Sequence, residues 1–497
     1  MSRTETSYRQ IFKATSLFGG VQIVNIIITV IRSKVVALLL GPAGMGIFGL
    51  FTTATNLIKE GTGLGLATSA VRTVAEVHAK QNDKELGVII AVLKKIIWLT
   101  ALLGALIVLL AAPLISELTF GNRNYTVAFY WLSLSVIANQ LTVGQNIQLQ
   151  GMQKLSLMAK ANMLGAFLSL LFSIPLYYFF RLDGIAPAII ITSICTFFIA
   201  FYYSRKLSVH RYWVSFRQAW SSGKNMVKTG IYISISSFSF LAQSYLTNIY
   251  INHTGSIDDV GLYNAGFAIV GVYVNMIFTA MSTDYYPRLS AVAVDSAKSN
   301  DLINQQAEVM LLILSPILII FLIFAEWGIL ILYSQKFLPI TTMVLWMALG
   351  MYFRAICWTL MYLLFAKGRF RLFFYNEMAY ILYFFAFNLL GYKYWGLVGL
   401  GASFLVAQIL YAIQSFVIAQ FHFSFKPSKQ IMYVFVIQIL FGIMAFFLSK
   451  ELHGLWRYII GIILVIVNVV LSLRELDKRV DIAGFIRENF FISRNKE

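Results

Sequence analysis

The chain has 497 residues, of which 59% are hydrophobic, 15% aromatic and only 12% charged. Soluble proteins carry about 25% charged residues, so most of this surface cannot face water. The composition excludes a cytosolic enzyme, a secreted scaffold and a disordered chain, and it indicates a protein embedded in a lipid bilayer. The two cysteines, Cys195 and Cys357, lie inside apolar runs, so neither a disulfide framework nor a thiolate metal site is expected.

Apolar runs that can cross about 30 Å of hydrocarbon need roughly 20 helical residues each. Fourteen such runs occur, at residues 14–38, 46–70, 91–112, 126–149, 160–180, 184–203, 229–252, 260–282, 307–332, 339–365, 372–392, 396–420, 431–449 and 455–473. The sequence therefore predicts an all-α polytopic membrane protein with about 14 transmembrane helices. The connectors are short and no GxxxxGK[ST] motif occurs, so we expect no ATP-binding domain.

The net charge of +18 is unevenly distributed along these spans. If the N-terminus is inside, about 29 of the 39 Lys and Arg residues fall in cytoplasmic segments. This asymmetry predicts that both termini are cytoplasmic. The basic excess is thus explained by topology, and we expect no nucleic acid as a partner. The polar N-terminal segment has no small-residue cleavage site, so we expect it to be retained.

The chain contains an internal repeat. Matching residues recur at offsets of 215 to 218: Lys13 with Lys228, Gly46 with Gly261, Arg72 with Arg288, and Asn82-Asp83 with Asn300-Asp301. Six spans separate the copies, and an even number preserves orientation, so the sequence predicts two parallel six-helix repeats plus two extra C-terminal helices. The predicted divisions are a first bundle (1–204), a cytoplasmic connector (205–228), a second bundle (229–420), and two additional helices with a cytoplasmic tail (421–497).

Two facing bundles are expected to enclose a central cavity, and polar stripes at helical spacing indicate which spans line it. The lining candidates for a polar cargo are Gln22, Asn25, Thr29, Asn56, Asn139, Asn146, Gln243 and Asn275. The alternative is that these amides and hydroxyls only bond one helix to another. Stripes on six spans favour a wet lumen: the first, second, fourth, seventh and eighth spans hold these residues, and the tenth places Gly350, Arg354 and Cys357 on one face.

Charged residues within the spans give a sharper signal, because a charge near the bilayer centre costs at least ~2.5–3.5 kcal/mol. The cationic candidates are Arg32, Lys34, Lys59 and Arg354, and a basic lumen suits an anion, phosphate in particular. Helical periodicity places Arg32 on the polar face of the first span and Lys34 about 200° away. The acidic candidates are Glu60, Asp284, Glu326 and Glu377, which could bind a coupling cation or pair with a base; we favour pairing.

The glycine-rich string GTGLGLA at 61–67 lies inside the second predicted span, with no strand before it. We interpret it as close helix packing or a hinge, and not as a dinucleotide-binding loop.

Three stretches resemble the lipid-linked oligosaccharide flippases: LLLGPAGMGIFGLFTTATNLIKEGTGLGLATSAVRTVAE (38–76), YYPRLS (285–290) and YSQKFLPITTMVLWMALGMYFRAICWTLMYLLFAKGRFRLFF (333–374). These proteins are the O-antigen and enterobacterial-common-antigen translocases of the polysaccharide-transporter branch of the multidrug/oligosaccharidyl-lipid/polysaccharide (MOP) superfamily, to which the MATE transporters also belong. The resemblance covers roughly residues 11–420. The GPAG string alone is weakly specific, whereas its combination with Arg354 and the AKGR segment (366–369) is more so.

The resemblance implies transport of an undecaprenyl-pyrophosphate-linked oligosaccharide from the cytoplasmic to the periplasmic leaflet of a bacterial inner membrane. Alternating access without ATP, assisted by the membrane potential or an ion gradient, is expected. The pyrophosphate would bind Arg32, Lys34, Arg354 and Lys59. On span 1 the resemblance favours Lys34 and the helical periodicity favours Arg32, so both residues stay candidates. Besides the cargo and membrane lipids, the polymerase and glycosyltransferases of the same pathway are candidate partners.

Several other functions are weighed against this one. A lipid II flippase also binds a pyrophosphate in a basic lumen, and it is the nearest alternative. A MATE-like cation-coupled drug exporter would need an acidic cavity, whereas these intramembrane charges lean basic. A membrane glycosyltransferase or polymerase would need catalytic carboxylates or a sizeable loop at one face, and the outer loops are too short to hold such a site. A scaffold would not need intramembrane arginines. We therefore expect no enzyme activity, no catalytic residues, no cofactor and no bound metal.

Overall fold

The computed structural model describes residues 3–209, 212–452 and 454–480, with the backbone alone described for residues 3–26 and for scattered positions within 216–284 and at 479–480. Regular structure in these ranges is helical. In chain order the helices are α1 (Arg3–Gly63), α2 (Leu66–Ala79), α3 (Asp83–Phe120), α4 (Thr126–Gly151), α5 (Leu155–Phe180), α6 (Ile185–Ser204), α7 (Phe216–Thr254), α8 (Ile257–Ala291), α9 (Ser296–Ile323), α10 (Ala325–Leu332), α11 (Thr341–Ala366), α12 (Phe370–Phe423), α13 (Lys429–Glu451) and α14 (Leu455–Val480).

The helices confirm a polytopic membrane protein, and each predicted span falls on one or two of them. Among the described residues, nine helical segments are long and apolar enough to cross a bilayer. Some of these segments hold two spans. Helix α12 has 54 residues, about 80 Å at the helical rise, which is more than twice the hydrocarbon thickness. It is broken at Gly396, just as α1 is broken at Gly41, where φ is 68°.

The internal repeat is present in the helix boundaries. Both ends of α11 lie at an offset of 215 from the ends of α4, the offset that relates Gly46 to Gly261. The start of α12 has the same offset from the start of α5, and so has its break at Gly396 from Arg181, which follows the last residue of α5. Both break residues have positive φ, at 51° for Arg181 and 57° for Gly396. The fourth and fifth spans of the two repeats therefore match without an insertion or deletion.

The turn between these matched spans is also the same in both repeats. After α4, the Lys154 amide donates to the Leu149 carbonyl at 2.8 Å, and Gln153 has φ 58°. After α11, the Arg369 amide donates to the Leu364 carbonyl at 2.9 Å, and φ is positive at the preceding glycine. Both turns are Schellman motifs, in which a residue of left-handed conformation ends the helix.

One of the sequence matches that suggested the repeat is wrong. Asn82 caps α3 by accepting a hydrogen bond from the Glu85 amide, whereas the residue that caps α9 is Asp295. Asn300 lies inside α9, and its side chain accepts from the Lys426 amide at 3.0 Å. The pairing of Asn82-Asp83 with Asn300-Asp301 therefore reflects similar polar residues and not equivalent positions.

The chain forms two compact units: Met1–Gly261 with Leu332–Lys336, and Leu262–Ile331 with Phe337–Glu497. Helix α7 belongs to the first unit, where its side chains form hydrogen bonds with the C-terminal end of α3. The hydroxyls of Thr119 and Tyr245 lie 2.6 Å apart, and the Asn252 side chain donates to the Thr119 carbonyl at 2.9 Å. The six-helix boundaries proposed from the repeat remain a prediction.

Candidate functional site

Two of the predicted cations lie two residues apart on α1, in the first unit. Arg32 is half-buried, and its guanidinium carbon lies 5.1 Å from the centre of the Phe48 ring. Lys34 is also half-buried. The attraction between the cation and the negative face of the ring helps to hold the guanidinium in place. The structure thus leaves both Arg32 and Lys34 as candidates.

The third predicted cation, Lys59, lies near the end of α1, where it is half-buried and interacts electrostatically with Glu60. The glycine-rich segment follows directly. A Cβ on Gly65 would lie 2.0 Å from the Gly230 carbonyl oxygen of α7. This segment is therefore a site of close helix packing, as the sequence predicted.

Threonine hydroxyls lie about one helical turn from the predicted amides Asn56 and Asn139. They bond within their own helices: Thr52 donates to the Phe48 carbonyl at 2.7 Å, and Thr142 to the Ala138 carbonyl at 2.8 Å. Such bonds satisfy a hydroxyl locally and leave little of it for a ligand. The amides are therefore the better candidates for binding a polar cargo.

The predicted amide residues differ in burial. Asn56, Asn139 and Asn146 are half-buried, and the Asn146 side-chain oxygen is buried without a hydrogen-bond partner among the described residues. Gln243 is 4% exposed and donates to the Thr247 hydroxyl at 2.9 Å. Thr29 is exposed. The remaining predicted positions, Gln22, Asn25, Asn275 and Asp284, lie outside the described side chains.

Arg354 is the predicted cation of the second unit. It lies on α11, half-buried, between two positions that pack against α12. A Cβ on Gly350 would lie 2.7 Å from the Phe404 ring, and the Cys357 thiol is 3.8 Å from the Gln408 carbonyl. Among the described side chains, no carboxylate lies within 4.0 Å of the Arg354 guanidinium, although Glu377 interacts with it electrostatically.

The Glu377 carboxylate, on the first part of α12, is already engaged. It accepts a hydrogen bond from the Tyr411 hydroxyl. Three residues before Tyr411, the Gln408 amide donates to the Tyr380 hydroxyl at 3.0 Å. These tyrosines and Gln408 are not among the site residues predicted from the sequence. The 3–4 residue spacing of Gln408, Tyr411 and Ser415 was the signal that could have found them.

Another of the predicted acidic residues has a basic partner. Glu326 accepts a hydrogen bond from Arg457 of α14 at 2.8 Å, and Arg457 also donates to the Ile323 carbonyl at 3.0 Å. Arg457 is 3% exposed, whereas the Glu326 side chain is 42% exposed. This pair joins the C-terminal helices to the end of α9 and α10.

The chemistry of both units suits an anionic, hydroxyl-rich ligand. Half-buried guanidinium and ammonium groups bind phosphate oxygens through charge-assisted hydrogen bonds. Amides such as Asn139 and Asn146 can both donate to and accept from sugar hydroxyls.

Comparison with known sequences gives a family and two relatives. The sequence model described as "Polysaccharide biosynthesis protein" matches residues 35–342. A lipid III flippase of Escherichia coli (strain K12) is 22% identical over 360 residues, which is 70% of this chain and 83% of that protein. A lipid III flippase of Shigella flexneri matches with the same values.

Comparison with solved structures shows a shared fold. The lipid II flippase MurJ, in an inward closed conformation, superposes with a TM-score of 0.69 at 13% identity, over 94% of this chain and 99% of that one. A multidrug resistance MATE family transporter of the MOP superfamily, in an inward-facing conformation, gives 0.62 at 14% identity, over 82% and 98%. These likenesses confirm the predicted MOP-type fold.

Proposed function

Because this chain belongs to the polysaccharide biosynthesis protein family, we propose that it is a flippase for a lipid-linked oligosaccharide in the bacterial inner membrane. Its cargo is an undecaprenyl-pyrophosphate-linked oligosaccharide, moved from the cytoplasmic to the periplasmic leaflet. The relatives that carry the name lipid III flippase support this assignment. Both termini are assigned to the cytoplasm by the charge asymmetry of the connectors.

The proposal rests mainly on the surroundings of Arg354. It is a half-buried cation in a helix long and apolar enough to cross the membrane, and Glu377, which interacts with it electrostatically, accepts a hydrogen bond from Tyr411. An intramembrane arginine is costly and is retained mainly where it binds something. A pyrophosphate is a ligand of matching charge and geometry, and Arg32, Lys34 and Lys59 extend the basic character into the first unit.

The amide residues account for the sugar part of the cargo. A sugar hydroxyl taken into hydrocarbon without a partner costs ~2–7 kcal/mol, so several sugars cannot cross unaided. Amides such as Asn56, Asn139 and Asn146, together with water, replace those hydrogen bonds. The prenyl chain needs no such help, because it stays in the lipid.

The energy for export comes from the membrane potential or an ion gradient. An anion that moves outward travels toward the positive side of an energised membrane, which is worth ~2.3 kcal/mol per charge per 100 mV. Transport that persists in vesicles after both the potential and the pH gradient are collapsed would argue against this coupling.

The test is translocation of a fluorescent undecaprenyl-pyrophosphate oligosaccharide in proteoliposomes. Arg354→Ala should reduce the rate at least tenfold at equal protein level, with smaller losses for the single alanine variants of Arg32, Lys34 and Lys59. The control is Arg72→Ala, because the Arg72 side chain is 79% exposed and pairs with Glu76 on the surface of α2. Unchanged rates in all four site variants would remove the site assignment.

The second candidate function is a lipid II flippase, which the fold likeness to MurJ favours. The two functions share the pyrophosphate and differ in the sugars. Competition between lipid II and the oligosaccharide cargo in the same vesicles distinguishes the two functions. The true substrate should be transported at a lower concentration than its competitor. A drug exporter of MATE type predicts instead that a cationic dye is carried and that Arg354→Ala does not impair it.

A further inference from the structure

The turn between α11 and α12 borders a pocket that the proposed function does not use. The pocket has a volume of about 700 Å³ and is lined by Gly368, Arg369, Phe370, Arg371, Leu372, Tyr375, His422 and Phe423. All of these residues belong to the second unit. The pocket includes Gly368 and Arg369, the second half of the AKGR segment that distinguished this sequence.

The polar side chains of this pocket are mostly basic. Arg369, Arg371 and His422 are exposed at its rim, and the lining contains no carboxylate. The neighbouring Lys367 ammonium lies 5.5 Å from the centre of the Phe423 ring, which forms part of the wall. Several cations around a single concave surface favour a ligand with concentrated negative charge.

Two of these cations are not needed to make the turn. The equivalent turn between α4 and α5 has the same backbone hydrogen bonds, with Gln153 in the position of Gly368. At the positions of Lys367 and Arg371 that repeat has Met152 and Ser156, whereas at the position of Arg369 it has another cation, Lys154. The turn therefore forms without Lys367 and Arg371, which give the second repeat two additional positive charges.

The surroundings of the pocket indicate a membrane interface. The turn joins two helices that are apolar enough to span a bilayer. Large aromatic side chains beside it are exposed, with Phe370 at 61%, Tyr375 at 68% and Phe421 at 81%. Aromatic side chains and basic residues at a helix end are typical of the level of the lipid headgroups.

We propose that Arg369, Arg371 and His422 form a binding site for the phosphate group of a membrane lipid, with the acyl or prenyl chain held along Phe370, Tyr375 and Phe423. The volume accommodates a phosphate or diphosphate and the first carbons of its chain. Two lipids offer this chemistry: a prenyl diphosphate and an anionic phospholipid. That the prenyl diphosphate is the cargo rests on the proposed function; in that case the pocket is a docking site on the leaflet from which the cargo departs.

The experiment measures lipid binding directly. The full-length protein is placed in phosphatidylcholine nanodiscs, and binding of undecaprenyl diphosphate and of phosphatidylglycerol is measured separately by native mass spectrometry. Each arginine near a lipid phosphate accounts for roughly fivefold in affinity. The double variant Arg369→Gln/Arg371→Gln should therefore weaken binding of one or both lipids by about twentyfold. The lipid whose binding falls identifies the source of the phosphate.

Two matched controls separate this site from general surface charge. Lys429→Gln removes an exposed cation at the start of α13, outside the pocket, and Lys154→Gln removes the cation equivalent to Arg369 in the first repeat. Both should bind lipid as the wild type does. A charge-preserving Arg369→Lys/Arg371→Lys variant should retain most of the binding, and it covers the case in which the glutamine variant folds poorly.

Unchanged binding of both lipids in the double glutamine variant overturns the proposal, as does an equal loss in the Lys429→Gln control. Failure of the proposed function gives a different result. In that case the wild type does not translocate the oligosaccharide cargo, yet the loss of lipid binding at Arg369 and Arg371 is still observed.

Discussion

Gly46 of α1 and Gly261 of α8 contact each other through their backbones, and the contact is reciprocal. A Cβ on Gly46 would lie 2.1 Å from the Ile257 carbonyl oxygen, and a Cβ on Gly261 would lie 1.9 Å from the Pro42 carbonyl oxygen. The repeat offset that relates Gly46 to Gly261 also relates Pro42 to Ile257. All four residues belong to the first unit, so the two copies of this segment pack against each other within it.

We expect Gly46→Ala and Gly261→Ala each to destabilise the protein by at least ~1–3 kcal/mol, because the obstacle is backbone that cannot turn aside. Thermal unfolding in detergent, followed by tryptophan fluorescence, should show a lower midpoint for both. Gly328→Ala is the control: nothing lies within 4 Å of a Cβ there, within helix α10. An equal midpoint shift in Gly328→Ala would contradict the close-contact explanation.

Arg181 occupies a backbone conformation that glycine adopts at the equivalent position. Its φ and ψ are 51° and −127°, against 57° and −139° at Gly396. We expect Arg181→Gly to raise stability by about 1 kcal/mol, since a left-handed φ is costly for a residue with a Cβ. The lost hydrogen bond from Arg181 to the Leu39 carbonyl is long, at 3.3 Å, and exposed. Gly396→Ala should have the opposite effect; the sign of both shifts is read from the unfolding midpoint.

Glu377 reduces the positive potential at Arg354. We expect Glu377→Gln to strengthen binding of a prenyl diphosphate several-fold, because the negative charge is removed while the residue keeps its shape. Tyr411→Phe should weaken binding, since Glu377 then loses its hydroxyl partner and is free to turn toward Arg354. Binding by isothermal titration tests both; unchanged affinity with lost transport in Glu377→Gln would point to a coupling role for this carboxylate.

The pair of Arg457 and Glu326 should respond asymmetrically to mutation. Glu326→Gln leaves the buried Arg457 charge without its counterion, which costs ~3–5 kcal/mol at a buried site. Arg457→Met leaves Glu326 half-exposed and able to reach water, so we expect a smaller loss. The exposed pair of Lys450 and Glu451, at 3.9 Å, is the control, and Glu451→Gln should change stability by less than ~0.5 kcal/mol. Equal losses at Glu326 and Glu451 would contradict this account.

Asp295 should make the start of α9 sensitive to acid. The Lys298 amide donates to the carboxylate and holds its pKa below the usual range, so the charged form is favoured when the helix is folded. The stabilisation is therefore present at neutral pH and is lost as the pH falls through the lowered pKa. Asp295→Asn preserves the cap and should remove this part of the pH dependence. The prediction would be contradicted if the unfolding midpoints of wild type and variant fell by the same amount between pH 7 and pH 3.

The sequence predicted the features that depend on local composition. Hydrophobic run length located the membrane helices, because a span must satisfy its own backbone hydrogen bonds. The match of Gly46 with Gly261 found the repeat offset that the helix boundaries of α4 and α11 then confirmed. The close packing at Gly65 also followed from the glycine-rich string alone.

The contacts between spans could not be predicted in the same way. The pairs Tyr411 with Glu377 and Gln408 with Tyr380 form only because α12 breaks at Gly396 and its two parts lie side by side. A tyrosine counts as apolar in a hydrophobic pattern, since its aromatic ring contributes to hydrophobicity whether or not its hydroxyl has a partner. The failed match of Asn82 with Asn300 has a similar cause: short polar strings recur by chance at helix starts.

The matched helices α4 and α11 place Asn139 and Arg354 at corresponding positions of the two repeats. The position holds a neutral amide in one copy and a cation in the other. At this position a diphosphate is therefore attracted to the second repeat and not to the first, so the two copies are chemically distinguishable although their backbones match.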